Sequence, residues 1–113
     1  MDEWKLEGPW LTTDIQGWQV KILKGSGPLQ GILDVEVHAP DARRFAAEIG
    51  TLEDIRRIMG GHARSGESLS GSYLYMQNLI ILKELSEPFI RRVLDHMIRS
   101  NEIESAFDLL ELS

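Results

Sequence analysis

His38, His62 and His96 are the residues best suited to general acid–base work or to metal binding, because an imidazole titrates near neutral pH and offers a nitrogen lone pair. Their spacing gives neither HxH nor HExxH. His96 follows Asp95, but consecutive residues on a helix point about 100 degrees apart, so the two form no dyad. His38 falls on the polar side of an alternating run with Asp34 and Glu36, a set that would hold a divalent ion only with ligands from another element. Solvated surface histidines are the simpler reading of all three.

Residues 60–72 hold four glycines and four serines around His62, Arg64 and Ser65. Backbone amides in a glycine-rich turn, beside a guanidinium and a hydroxyl, can cradle a phosphate or a carboxylate. The stretch is not a Walker A loop, which needs lysine directly after its second glycine. Gly25 and Gly27 make no dinucleotide fingerprint, since no third glycine opens a helix and Pro28 follows. No GxSxG elbow or SxxK pair activates a serine. With no cysteine there is no thiolate nucleophile, redox pair or cysteine zinc site. Acids are numerous, but sequence fixes no distance between any two of them. No catalytic residue, metal site or cofactor is assigned. His62, Arg64 and Ser65 stand as a ligand-binding alternative to a flexible connection.

Arginine outnumbers lysine eight to four and recurs as Arg43-Arg44, Arg56-Arg57 and Arg91-Arg92. Guanidinium forks grip carboxylates or phosphates, yet Glu48 four residues after Arg44 and Glu53 three before Arg56 make solvated ion pairs the simpler expectation. Trp4, Trp10 and Trp18 lie in or beside alternating runs. Trp18 shares its register with Val20 and Ile22 and reads as core, which leaves Trp4 and Trp10 as exposed contact candidates.

The elements that must position these groups follow from periodicity. Trp18, Val20 and Ile22 alternate with polar residues, as do Leu33, Val35, Val37 and Ala39, so both runs read as half-buried strands. Residues 24–31 between them hold three glycines and a proline and predict an antiparallel hairpin. Residues 4–7 and 9–13 are weaker strands separated by Gly8-Pro9. Ala42, Phe45, Ala46 and Ile49 predict a short helix capped by Asp41 and ended by Gly50. Thr51 starts a second helix carrying Leu52, Ile55, Ile58 and Met59, which Gly60-Gly61 should stop. Residues 60–72 then read as loop. Residues 73–82 read as strand, with strand–turn–strand preferred to one long strand. Ser86, Pro88 and the stripe Phe89, Ile90, Val93, Leu94, Met97, Ile98 predict a helix over about 87–99. Ile103, Phe107 and Leu110 favour a last helix over a strand.

This pattern predicts one α+β domain over residues 1–113, an antiparallel sheet of about four to five strands with three to four helices mainly on one face. The 113 residues, 42% hydrophobic, suffice for one core and need neither disulfide nor structural metal. The formal net charge of -6 repels polyanions and disfavours nucleic acid. The first residues, Met1 to Lys5, lack a signal-peptide pattern, and no apolar run approaches the roughly 20 residues that span a bilayer. A cytoplasmic location without membrane contact is expected.

The leading functional expectation is a small acidic non-enzymatic interaction protein that engages a basic protein partner, an immunity-type inhibitor being one concrete example. Trp4 and Trp10 supply apolar contacts, and Asp34, Glu36, Glu102, Glu104, Asp108 and Glu111 the charged rim. The alternatives are a ligand-binding or catalytic domain built on residues 60–72, and a structural homo-oligomer joined through a sheet edge.

Overall fold

The computed structural model describes residues 4–25 and 27–110. The readings placed on residues 1–3 and on Glu111 lie outside the described residues. Five strands come first: β1 (Lys5–Glu7), β2 (Trp10–Ile15), β3 (Trp18–Leu23), β4 (Leu33–His38) and β5 (Arg44–Gly50), each antiparallel to the next. There follow α1 (Leu52–Ser65), a single turn α2 (Glu67–Gly71), β6 (Leu79–Ile81), α3 (Glu87–Arg99), α4 (Ile103–Ala106) and β7 (Asp108–Leu109). The far edge of β5 is shared. β6 runs parallel to it opposite Glu48, Ile49 and Gly50, and β7 runs antiparallel opposite Phe45 and Ala46. The α+β class therefore holds, with a seven-stranded, mostly antiparallel sheet in place of the expected four to five strands.

One of the added strands is β5, where the sequence predicts a helix. Ala42, Phe45, Ala46 and Ile49 fit a helical stripe, but the side chains that are buried are Phe45, Ala47 and Ile49, at the spacing of a strand. The preceding turn decides between the two periods. Ala42 sits at φ 76°, the Ala39 N–H donates to the Arg43 carbonyl at 2.8 Å, and Asp41 accepts the Arg43 N–H at 3.2 Å, so Asp41 caps a chain reversal. Arg44 accordingly pairs with Glu36 at 3.5 Å and not with Glu48.

The expected loop over 60–72 is also corrected. α1 continues through Gly60 and Gly61 and ends at Gly66, whose φ of 88° and N–H bond to the His62 carbonyl close the helix. Two internal glycines cost roughly 1 kcal/mol each against alanine but remove no helical hydrogen bond. At the other end Thr51 and Asp54 form a capping box. In α2, Ser68, Leu69 and Ser70 all hold φ between 50° and 58°, a left-handed turn. It folds Gly71 so close to α1 that a Cβ there would lie 2.3 Å from the Met59 carbonyl oxygen.

Of the expected strand over 73–82 only β6 joins the sheet, after a turn at Asn78 with φ 57°. α3 matches its predicted span. Ser86 accepts the Phe89 N–H, and Pro88 occupies the first turn. The predicted last helix is a single turn, because Phe107 turns extended and the chain pairs with the open edge of β5.

The core is one cluster. Val20, Ile22, Val35, Val37, Phe45 and Ile49 from the sheet meet Ile90, Leu94 and Met97 of α3 and the neighbouring Ile103 and Phe107. Each fully buried aliphatic contributes about 1.5–3 kcal/mol. Trp18 packs partly against this cluster with its ring 6.0 Å from that of Phe45.

α1 adds no apolar side chain to the cluster, and its one buried residue is Asp54. Asp54 accepts from Thr51 N and Oγ1 at 2.9 and 2.8 Å, from Gly31 N at 3.2 Å and from Arg57. Burial pushes this carboxyl upward, and the bonds from Thr51, Arg57 and Gly31 outweigh it, so its pKa ends below the usual carboxylate value. A charged residue thus anchors the start of α1.

Candidate functional site

The alternation that sends Val20, Val35 and Phe45 inward turns Gln19, Lys21, Asp34, Glu36, His38, Arg44 and Glu48 to the other face. None of these is buried. Strand register lines them up in rows. Gln19, His38 and Arg44 form one; Lys21, Glu36, Ala46 and Asp108 form the next; Asp34, Glu48 and Leu79 form the third.

The rows differ in how their charges are met. Glu36 lies 2.8 Å from His38 Nε2 and 3.5 Å from Arg44 Nη1. Lys21 Nζ sits 4.9 Å from the centroid of the Trp10 ring, a cation–π contact along the same face. Asp34 and Glu48 stand directly opposite each other, and neither side chain has a cation or donor among the described residues. Burial raises the Glu48 pKa above its usual value, and the Asp34 charge adds to the rise.

Of the candidates read from sequence, Trp10, Asp34, Glu36 and Asp108 share this face. Trp4 does not: it packs against the core beside α3, with its indole Nε1 donating to the Glu87 carbonyl at 3.0 Å. Glu104 pairs with Arg43, and Glu102 meets Ser100 and, at 3.5 Å, His96; both lie at the α3–α4 corner.

Glu48 and Asp14 also lie on the open face; the sequence reading has Glu48 only as an ion-pair partner for Arg44 and assigns Asp14 no role. Glu48 is concealed by the helical reading of 42–49. The alternation of Phe45, Ala47 and Ile49 is the signal that would place it beside Asp34.

His62, Arg64 and Ser65 occupy the last turn of α1. His62 Nε2 is 3.9 Å from Glu67, Ser65 donates to Glu67 at 3.0 Å, and Arg64 folds back beside Gly60 and Gly61. A helix end stands where the sequence offered an anion-cradling turn as the alternative to a flexible connection, and the hollows among the described residues are lined by other residues. Among the described residues no group of three or more histidines and acids could hold a metal ion. Among them, too, no helix is long and apolar enough to cross a membrane. Searches against models of protein families, curated proteins and solved structures found no match for this chain.

Proposed function

We propose that this protein is a non-enzymatic interaction module whose uncovered sheet face engages a basic protein partner, in the manner of an immunity-type inhibitor. The observation that supports it is the Asp34–Glu48 juxtaposition: two carboxylates face each other across a ladder with no cation paired to either among the described residues, and Glu48 is half-buried. Like charges directly opposite destabilise a sheet, and a lysine or arginine brought by a partner would relieve that cost on binding. Asp14, Glu36 and Asp108 extend the negative surface, and Trp10 and Leu23 provide apolar area beside it. Cytoplasmic residence belongs to the same reading.

The test is affinity capture with the wild-type chain and with an Asp34→Lys/Glu48→Lys variant whose fold is checked by circular dichroism. A stoichiometric basic partner, released by salt and not retained by the variant, supports the proposal. Equal retention by both chains removes this face from it.

A second reading, self-association, is favoured by the free edge of β6. Residues 73–82 contain no charge or proline, and Tyr73, Tyr75 and Ile81 are exposed, whereas the opposite edge strand β1 carries Lys5 and Glu7. Such an uncharged edge is a template for another strand. Light scattering over a concentration series checks this, and a monomer at every concentration rejects it.

A further inference from the structure

A second surface gathers arginines. Between Trp4, the β2–β3 turn and the outer side of α3 lies a groove of about 700 Å³, within the range of small-molecule sites. We propose that this groove binds a small organic oxyanion, a planar ring bearing a single carboxylate or phosphate group.

The argument begins with charge. Among the described residues that line the groove, the arginines Arg91, Arg92 and Arg99 outnumber the acids Glu87 and Asp95, on a chain whose formal net charge is -6. The two acids do not cancel the cations evenly. Asp95 accepts from Gln16 Nε2 at 2.5 Å through one oxygen and pairs with Arg99 Nε at 3.2 Å through the other. Those bonds, that of Gln16 foremost, hold its carboxyl below the usual range, so it stays ionised and committed to its own partners. Arg92, the next residue of α3 after Arg91, is exposed and has no hydrogen bond or ion pair among the described residues.

Geometry adds preorganisation. Arg91 Nη1 donates to Thr13 Oγ1 at 2.7 Å, and Thr13 is itself buried, so this guanidinium is held by the sheet. The indole of Trp4 is fixed by its bond to the Glu87 carbonyl. That bond consumes the only donor of the ring, and Trp4 lines the groove. An anchored arginine, an uncommitted arginine and a clamped aromatic form a receptor for a flat anion: the guanidinium forks take the oxyanion, and the indole takes the ring. The carboxylate and the phosphate share this chemistry, and separate probes distinguish them.

The experiment titrates the full chain with benzoate, with adenosine monophosphate and with inorganic phosphate. It follows the indole N–H signal of Trp4 by NMR, assigned through Trp4→Phe. Saturable movement with at least one ring-bearing probe is expected. Affinity should fall about tenfold in Arg92→Gln, the effect of one charged hydrogen-bonding partner. Arg92 is exposed, so the variant should fold, and an unchanged spectrum elsewhere checks this. Response to benzoate alone identifies a carboxylate ligand, and response to the nucleotide alone a phosphate ligand. The proposal is overturned if neither moves the signal at roughly 10 mM, if Arg92→Gln binds as tightly as wild type, or if inorganic phosphate matches the better ring-bearing probe.

Discussion

Asp34 on β4 and Glu48 on β5 are direct cross-strand partners on the open face of the sheet, two acids where a ladder ordinarily sets an opposite charge or an apolar pair. Burial and the Asp34 charge raise the Glu48 pKa, so the folded chain binds that proton more readily than the unfolded chain does. The resulting cost is full above the folded pKa and disappears as pH falls below the unfolded one. Glu48→Gln is therefore expected to stabilise the protein at neutral pH by about 0.2–1 kcal/mol. In urea denaturation the two chains should converge as pH is lowered through the carboxylate range. A variant no more stable than wild type at neutral pH would show that the opposed charges cost nothing.

The opposite sign is expected at Asp54. Its lowered pKa contributes stability that is present above the unfolded value of 3.8 and is lost as pH falls through the folded value. Asp54→Asn should lower the opening free energy of α1 by about 1–3 kcal/mol at neutral pH, through weakened bonds to Thr51, Gly31 and Arg57. Hydrogen exchange of the α1 amides measures this, and the difference from wild type should shrink under acid conditions.

The left-handed turn after α1 offers a paired test. Gly71→Ala places a Cβ against the Met59 carbonyl at φ 82°, so the turn should loosen and residues 66–76 should become protease-sensitive. Leu69→Gly removes an exposed side chain held at φ 52° and should tighten the same turn by roughly 1–2 kcal/mol. Limited proteolysis ranks the three chains, and any order other than glycine at 69 above wild type above alanine at 71 contradicts this account.

Truncation should separate the two helices. Leu94→Ala empties a fully buried position in the core and is expected to cost about 2–5 kcal/mol of global stability. Ile58→Ala, on a helix absent from that cluster, should cost far less in the same thermal or urea experiment. Equal losses would mean that α1 belongs to the core after all.

Much of this architecture is legible in the sequence where one period excludes the other. β3 and β4 alternate without ambiguity, and α3 carries a cap, an early proline and an unbroken stripe. Residues 42–49 satisfy both periods at once: Phe45 and Ile49 are four apart on a helix and share a face in a strand, and the left-handed Ala42 that decides between them leaves no mark in composition. Gly60-Gly61 reads as a stop, although the backbone bonds on either side carry the helix across it. The acidic face was half visible through Asp34 and Glu36. Glu48, the partner of Asp34 on that face, depends on the strand assignment of β5, and the fixed Trp4 of the groove depends on a contact with Glu87, 83 residues away.

The far edge of β5, divided between β6 and β7, has a consequence for biosynthesis. The four hairpin pairings of β1 to β5 join segments close in sequence and can form as the chain emerges from the ribosome. Phe45 and Ala46 must wait for Asp108 and Leu109, so a nascent or truncated chain shows an unpaired backbone edge there until β7 arrives. Chains cut short before β7 are the ones a chaperone would be expected to hold.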